Sequence, residues 1–223
     1  MSRLPRFVLP GHPHHITQRG NRRERTFFEE GDYALYLDLL AASADRAGVE
    51  IWSYCLMPNH VHIVAVPQDQ DGLWRTFSNV HRTYTGYINA RMRVTGHLWQ
   101  GRFSSVAMDE AHLVCALRYV ALNPVRARLV QRPEEWRWSS TGAHLAGRDD
   151  HVVRVAPALE RVGDFGVFLG ADFDEQVSFA ALRKAESIGR PVGSPQWLED
   201  METQTGKQLA PRRPGRPRRG DYG

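Results

Sequence analysis

Two β-rich runs, residues 49–56 and 60–66, are separated only by Met57-Pro58-Asn59, and a connection that short obliges them to pair as an antiparallel hairpin. Everything else has to fit around that hairpin. Upstream, residues 12–18 (HPHHITQ) read as a strand, and Leu35, Leu39, Leu40 and Ala44 fall at helical spacing within residues 29–47, with Gly48 as a stop. Downstream, Leu73, Phe77, Val80, Tyr84, Tyr87 and Ile88 recur at spacings of three and four, which predicts a helix over 72–93. Residues 96–101 break it, and residues 103–108 read as another strand. Asp109 is placed to cap a third helix through Leu113, Val114, Leu117 and Val120, and Pro124 is expected to end or kink that helix at Asn123. Strand, helix, strand, strand, helix, strand is the split βαβ order of an α+β, ferredoxin-like sandwich with an antiparallel sheet, here followed by an extra helix.

A chain of 223 residues buries one core and a small appendage, and no internal repeat is visible. The expected division is a main domain over 1–148, a helical C-terminal extension over 149–210 and a basic tail over 211–223. That tail has no residues able to join a core and is expected to be disordered when free. No run approaches the roughly 20 apolar residues that span a bilayer, and residues 1–10 lack the apolar centre of a signal peptide, so a cytoplasmic location is expected. Cys55 and Cys115 lie in apolar segments without a CxxC pair, which argues for buried thiols over a disulfide or a thiolate zinc site. The formal charge is only +4, but of 29 basic residues only Lys184 and Lys207 are lysine. Arginine's planar fork suits phosphate recognition. A GC-rich genome produces the same bias, so placement has to decide.

His60 and His62 alternate along a strand, which puts two imidazoles on one face about 6.6 Å apart while Val61 points into the core. Such a pair can share one metal ion, and burying two unpaired imidazoles at the head of an apolar strand would otherwise be costly. The third helix offers a partner, because Tyr119 and Asn123 are four residues apart and share a face. Asn123 supplies a hard amide oxygen suited to Mg²⁺ or Mn²⁺, and Tyr119 is a nucleophile for a polarised phosphate. The plainer alternatives are a capping role for Asn123 before a short helix over 124–129 and a half-buried core role for Tyr119.

Four motifs in order, Arg19-Gly-Asn-Arg22, Met57-Pro-Asn-His-Val-His62, Trp99-Gln-Gly-Arg-Phe103 and Tyr119-Val-Ala-Leu-Asn-Pro-Val-Arg126, resemble the REP-associated tyrosine transposases, relatives of the single-tyrosine insertion-sequence transposases. The resemblance covers about residues 5–145, and Gly189-Arg-Pro-Val-Gly193 with the basic end resembles the tail of longer members. It implies an HUH fold, His60 and His62 as metal ligands, Tyr119 as nucleophile and Asn123 as third ligand. It also implies metal-dependent nicking and strand transfer at single-stranded DNA hairpins of palindromic repeats, through a 5′-phosphotyrosine, by a monomer whose site forms within one chain, a dimer being the alternative. Such an enzyme would sit on the nucleoid. Candidate DNA contacts are Arg19, Asn21, Arg22, Arg23 and Arg25 beside the first strand, with Arg82, Arg102 and Arg126 elsewhere.

The stretch Pro214-Gly-Arg-Pro-Arg218 resembles an AT-hook, with Arg216 and Arg218 flanking its turn toward a narrow minor groove; the alternative is a solubilising charged end. Two other functions compete. A DNA-binding regulator would keep fold and basic surface without cutting. A zinc hydrolase would need a further strong ligand and a carboxylate base, and His81, Asp109, Glu110 and His112 form no HExxH-like set.

Overall fold

The computed structural model describes residues 7–209, except for the side chains of 175–178 and 186–188. Its strands are β1 (His14–Arg19), β2 (Val49–Met57), β3 (His60–Pro67) and β4 (Ser104–Ala107). The helices are α1 (Glu30–Ala47), α2 (Gly72–Met92), α3 (Glu110–Arg126), α4 (Thr141–Ala146), α5 (Ala156–Val162), α6 (Phe165–Gly170), α7 (Glu175–Ile188) and α8 (Pro195–Thr205). The four strands form one antiparallel sheet in the order β2-β3-β1-β4. This is the ferredoxin-like arrangement that the element order implies, with the extra helix after β4.

Alternation along the strands sorts the core into two layers. Ile16, Leu56, Val61, Ile63 and Ala65 face α1 and α2, whose Tyr36, Leu40, Phe77, Val80 and Tyr84 are buried against them. Cys55, Met57, Val64, Val66 and Val106 face the other way and pack on Leu113, Ala116, Leu117 and Val120 of α3. Each large side chain so buried contributes roughly 1.5–3 kcal/mol, and a one-residue slip in β3 would exchange the two sets and put the histidines in the wrong layer.

Helix α1 starts at a capping box, in which the Asp32 carboxylate accepts from the backbone N–H groups of Phe28 and Glu29, and it ends at Gly48, whose φ of 63° suits glycine. The same carboxylate, wholly buried, meets the guanidinium of Arg91 on α2 at 2.5 and 2.8 Å and ties the two helices together. Burial alone would raise its pKa; the Arg91 hydrogen bonds and the two backbone donors outweigh that and hold it below its ordinary value of 3.8. We expect Asp32→Ala to lower stability by roughly 1–3 kcal/mol, because it removes the acceptor of the Phe28 and Glu29 N–H groups, whereas the exposed Arg91 keeps Glu29 as a partner. A depressed carboxylate stabilises the fold above its unfolded pKa and loses that contribution as pH falls through the folded value. Denaturant titrations below about pH 4 therefore lose stability more steeply in the natural chain than in Asp32→Asn.

The expectation at Pro124 needs correction. Helix α3 does not end at Asn123 but runs through Pro124 to Arg126, so residues 124–129 form no separate helix. Proline removes only its own donor near a helix end, and the chain there closes with Ala127 N–H donating to Asn123 O and Leu129 N–H to Pro124 O. Asp109 caps the other end, its carboxylate accepting from His112 N–H at 2.9 Å. Helices α5 to α8 follow in the stretch expected to be helical, and Ala158, Phe179 and Leu182 complete the layer around α3. Val192 exchanges backbone hydrogen bonds with Ala107 and Asp109 and covers the edge beside β4. The basic tail lies outside the described residues.

Candidate active site

His60 and His62 open β3 opposite Arg19 and Thr17 of β1, so all four side chains stand on the α3 side of the sheet. The two imidazole rings are 4.9 Å apart, centre to centre, and nearly perpendicular. Each has its Nδ1 engaged. Asn59 donates its side-chain N–H to Arg23 O at 2.8 Å, which turns its Oδ1 toward His60; at 2.6 Å that oxygen accepts the Nδ1 proton and leaves the lone pair on His60 Nε2. His62 Nδ1 lies 3.0 Å from Nε2 of His15 on β1, and those two rings are stacked at 5.2 Å.

Burial, and after it the charge of Arg19, pushes the His60 pKa down to about 3. Burial alone takes His15 to about 4. His62 is driven well below the ordinary range by burial, then by its histidine neighbours, Arg19 and Arg126. These imidazoles are therefore neutral at physiological pH, the state in which the ring nitrogen can bind a cation.

Helix α3 lays Tyr119 across this pair. Its ring is edge-on to His62 at 5.2 Å and to His15 at 6.0 Å. The guanidinium of Arg126 lies 5.1 Å from the centre of the Tyr119 ring, and Phe179 of α7 packs edge-on at 5.0 Å, leaving Tyr119 only 7% exposed. Asn123, one turn further along the helix, is buried, and its Nδ2 has no hydrogen-bond partner among the described residues. An unsatisfied buried amide is costly unless something else occupies its reach.

The remaining candidates divide by position. Arg22 and Arg23 sit in a 3-10 turn (Asn21–Arg23) with left-handed φ values of 51° and 63°, a strained geometry held by Asn59. Gly20 precedes it because a Cβ there would lie 2.2 Å from the carbonyl of Glu24. Arg25 is exposed and hydrogen-bonds Tyr33. Arg19 and Arg126 belong with the imidazoles, whereas Arg82 on α2 and Arg102 before β4 line a cleft with Gln18, on the opposite side of the sheet. Arg216 and Arg218 lie outside the described residues. Sequence reading missed His15, Asn59 and Phe179. Asn59 was inside a quoted motif, but only the fold brings His15 within reach of a residue 47 positions away.

Among the described residues no group of three His, Cys, Asp or Glu is arranged to hold a metal. A cation at His60 and His62 therefore needs a donor of another type: the neutral imidazoles, with their Nδ1 atoms anchored, keep Nε2 for it, and the side-chain oxygen of Asn123, one turn beyond Tyr119 on α3, is the candidate oxygen ligand.

The family described as IS200-like transposases matches residues 10–123, from the start of the sheet through Asn123. Among solved structures, a REP-associated tyrosine transposase bound to a REP hairpin aligns over 78% of this chain and 96% of its own, at 20% identity and a TM-score of 0.55, a likeness of fold. A protein of Deinococcus radiodurans R1 assigned as a transposase aligns over 59% of this chain and 94% of its own, at 19% identity and a TM-score of 0.37. No curated protein matches the chain.

Proposed function

The chain belongs to the IS200-like transposase family, and from that premise we propose that it nicks and rejoins single-stranded DNA at palindromic hairpins, with Tyr119 as nucleophile. The observation that carries this reading is the meeting, within one chain, of the Tyr119 ring with the neutral His60–His62 pair. On this reading one chain supplies the whole site, so a monomer would suffice. A hairpin substrate is supported by the related fold that was solved with a REP hairpin.

His60, His62 and Asn123 would hold Mg²⁺ or Mn²⁺, which when bound draws electron density from a non-bridging oxygen of the scissile phosphate. Tyr119 attacks phosphorus: an Oη–P bond forms, the P–O3′ bond breaks, the phenolic proton passes to water and the leaving 3′ oxygen takes up a proton. The product is a 5′-phosphotyrosine and a free 3′-hydroxyl, and attack by a 3′-hydroxyl on that linkage rejoins strands without ATP. Arg126 lies beside the Tyr119 ring and Arg19 beside His60, where both offset the charge building on the phosphoryl oxygens. Tyr119 is nearly enclosed, so α7, which sets Phe179 on its ring, has to give way when DNA enters.

His15 positions His62. For His62 Nε2 to serve the metal, its Nδ1 must carry the proton and His15 Nε2 must accept it. We expect His15→Ala to weaken Mn²⁺ binding about 10–100-fold by calorimetry and His15→Gln, which keeps an acceptor, to restore part of it. Equal affinities in all three proteins would remove His15 from this role.

The test of the function is to incubate the protein with single-stranded hairpin oligonucleotides from palindromes flanking its gene, with Mn²⁺ or EDTA. A denaturation-resistant, metal-dependent protein–DNA adduct is expected. Tight binding without adduct or nick, for either strand polarity and any divalent metal, would replace this reading with a non-catalytic DNA-binding regulator.

A further inference from the structure

The α3 side of the sheet changes character from one row of side chains to the next. The inner row, formed by Val64 of β3, His15 of β1 and Val106 of β4, is fully buried. The next row, one step nearer the end that carries His60, runs from His62 through Thr17 to Ser104, because Thr17 is the register partner of both. Thr17 and Ser104 are half-buried, so the surface opens here. Alternation along β4 confirms the side on which Ser104 stands: Val106, two residues on, packs in the α3 layer, whereas Phe103 belongs to the opposite core.

The surroundings of the histidine pair are lopsided. Toward β2, His62 has Cys55 as its register partner and His60 has Met57, both buried and apolar. Toward β1 and β4 the partners are polar and half-buried, Thr17 and then Ser104 beside His62, and Arg19 beside His60. A strand that places one phosphate at His60 and His62 therefore meets polar side chains of the sheet for its next phosphate on the β1–β4 side and not on the β2 side. Neighbouring strands lie about 4.8 Å apart, so Thr17 and Ser104 stand one and two such spacings from His62, along the path by which a nucleic-acid backbone leaves the metal pair. The Thr17 hydroxyl has no hydrogen-bond partner among the described residues. Serine and threonine hydroxyls donate readily to phosphate oxygens, and, being uncharged, they leave the cation at the histidines unopposed.

We propose that Thr17, with Ser104 beyond it, holds the phosphate adjoining the scissile one and thereby sets which phosphodiester bond meets Tyr119. The assignment rests on the DNA-nicking reading above and adds to it the side chains that fix the register of the cut.

The test uses two substitutions with opposite effects on shape and chemistry. Thr17→Val keeps the branched shape and strand preference and removes the hydroxyl, whereas Thr17→Ser keeps the hydroxyl and gives up the branch. On a hairpin carrying the cleavage site, Thr17→Val should leave Mn²⁺ affinity and folding stability unchanged, lower the cleavage rate about 10–100-fold and spread the cuts to neighbouring bonds. Thr17→Ser should stay close to natural, and Ser104→Ala should act in the direction of Thr17→Val. A role in packing alone predicts the opposite order, with Thr17→Ser the more impaired. A second arm replaces each of the two phosphates flanking the scissile one, in turn, by an uncharged methylphosphonate. At one of them the natural chain should slow and the Thr17→Val defect should largely vanish. A defect that persists in full on both modified substrates, or none on the unmodified strand, overturns the assignment. Adduct formation by the natural chain in the same reactions keeps the two readings apart: an adduct indifferent to Thr17 removes only this role, whereas no adduct on the unmodified hairpin removes the nicking reading and this role with it.

Discussion

Tyr119→Phe is expected to abolish the covalent protein–DNA adduct and to lower strand cleavage by at least about a thousandfold, while hairpin binding stays within a few-fold of natural. The substitution removes the attacking oxygen and nothing else of size. The ring keeps its edge contacts with His62, His15 and Phe179 and its place beneath Arg126, so folding stability should change by only about 1 kcal/mol, the scale of one hydrogen bond. Binding and chemistry therefore separate cleanly in this variant. Gel analysis under denaturing conditions reads the adduct, and anisotropy on the same samples reads binding. An adduct that persists in Tyr119→Phe would move the nucleophile elsewhere and, with it, the proposed roles of His60 and His62.

The second large effect is expected at His62. His62→Ala should reduce Mn²⁺ affinity by more than the 10–100-fold expected for an outer partner such as His15, and should remove metal-dependent cleavage with it. The reason lies in the surroundings: His62 is 1% exposed, neutral, and oriented by a hydrogen bond at its other nitrogen. His60 is half-buried and held by Asn59, and a His60→Ala variant should lose affinity less severely. Calorimetric titration with Mn²⁺ on each variant, with unfolding curves as a control for folding, separates lost ligation from lost structure. Metal affinity and cleavage unchanged in His62→Ala would place the cation elsewhere.

Much of this molecule was legible as local pattern. The hairpin at Met57-Pro58-Asn59, the two amphipathic helices, the Asp109 cap and the facing of His60 and His62 all follow from spacing of 2 or 3.6 residues and from turn chemistry, which depend on the nearest backbone atoms. The motifs pointed to the family for the same reason, since each is a short contiguous segment. Pro124 misled because a rule about one residue's preferred geometry was set against a helix end already packed on the sheet, and packing prevailed. The neighbours that complete the site were not legible at all. His15 reaches His62 only because β1 inserts between β3 and β4, Phe179 reaches Tyr119 only because α7 folds back over α3, and Arg82 and Arg102, grouped with the other arginines by charge, lie on the reverse side. Sequence determined which elements form and which way their side chains alternate. The order of strands, the helix that covers each face and therefore the company each functional residue keeps are decided by burial of apolar surface between segments far apart in the chain, which no local spacing records.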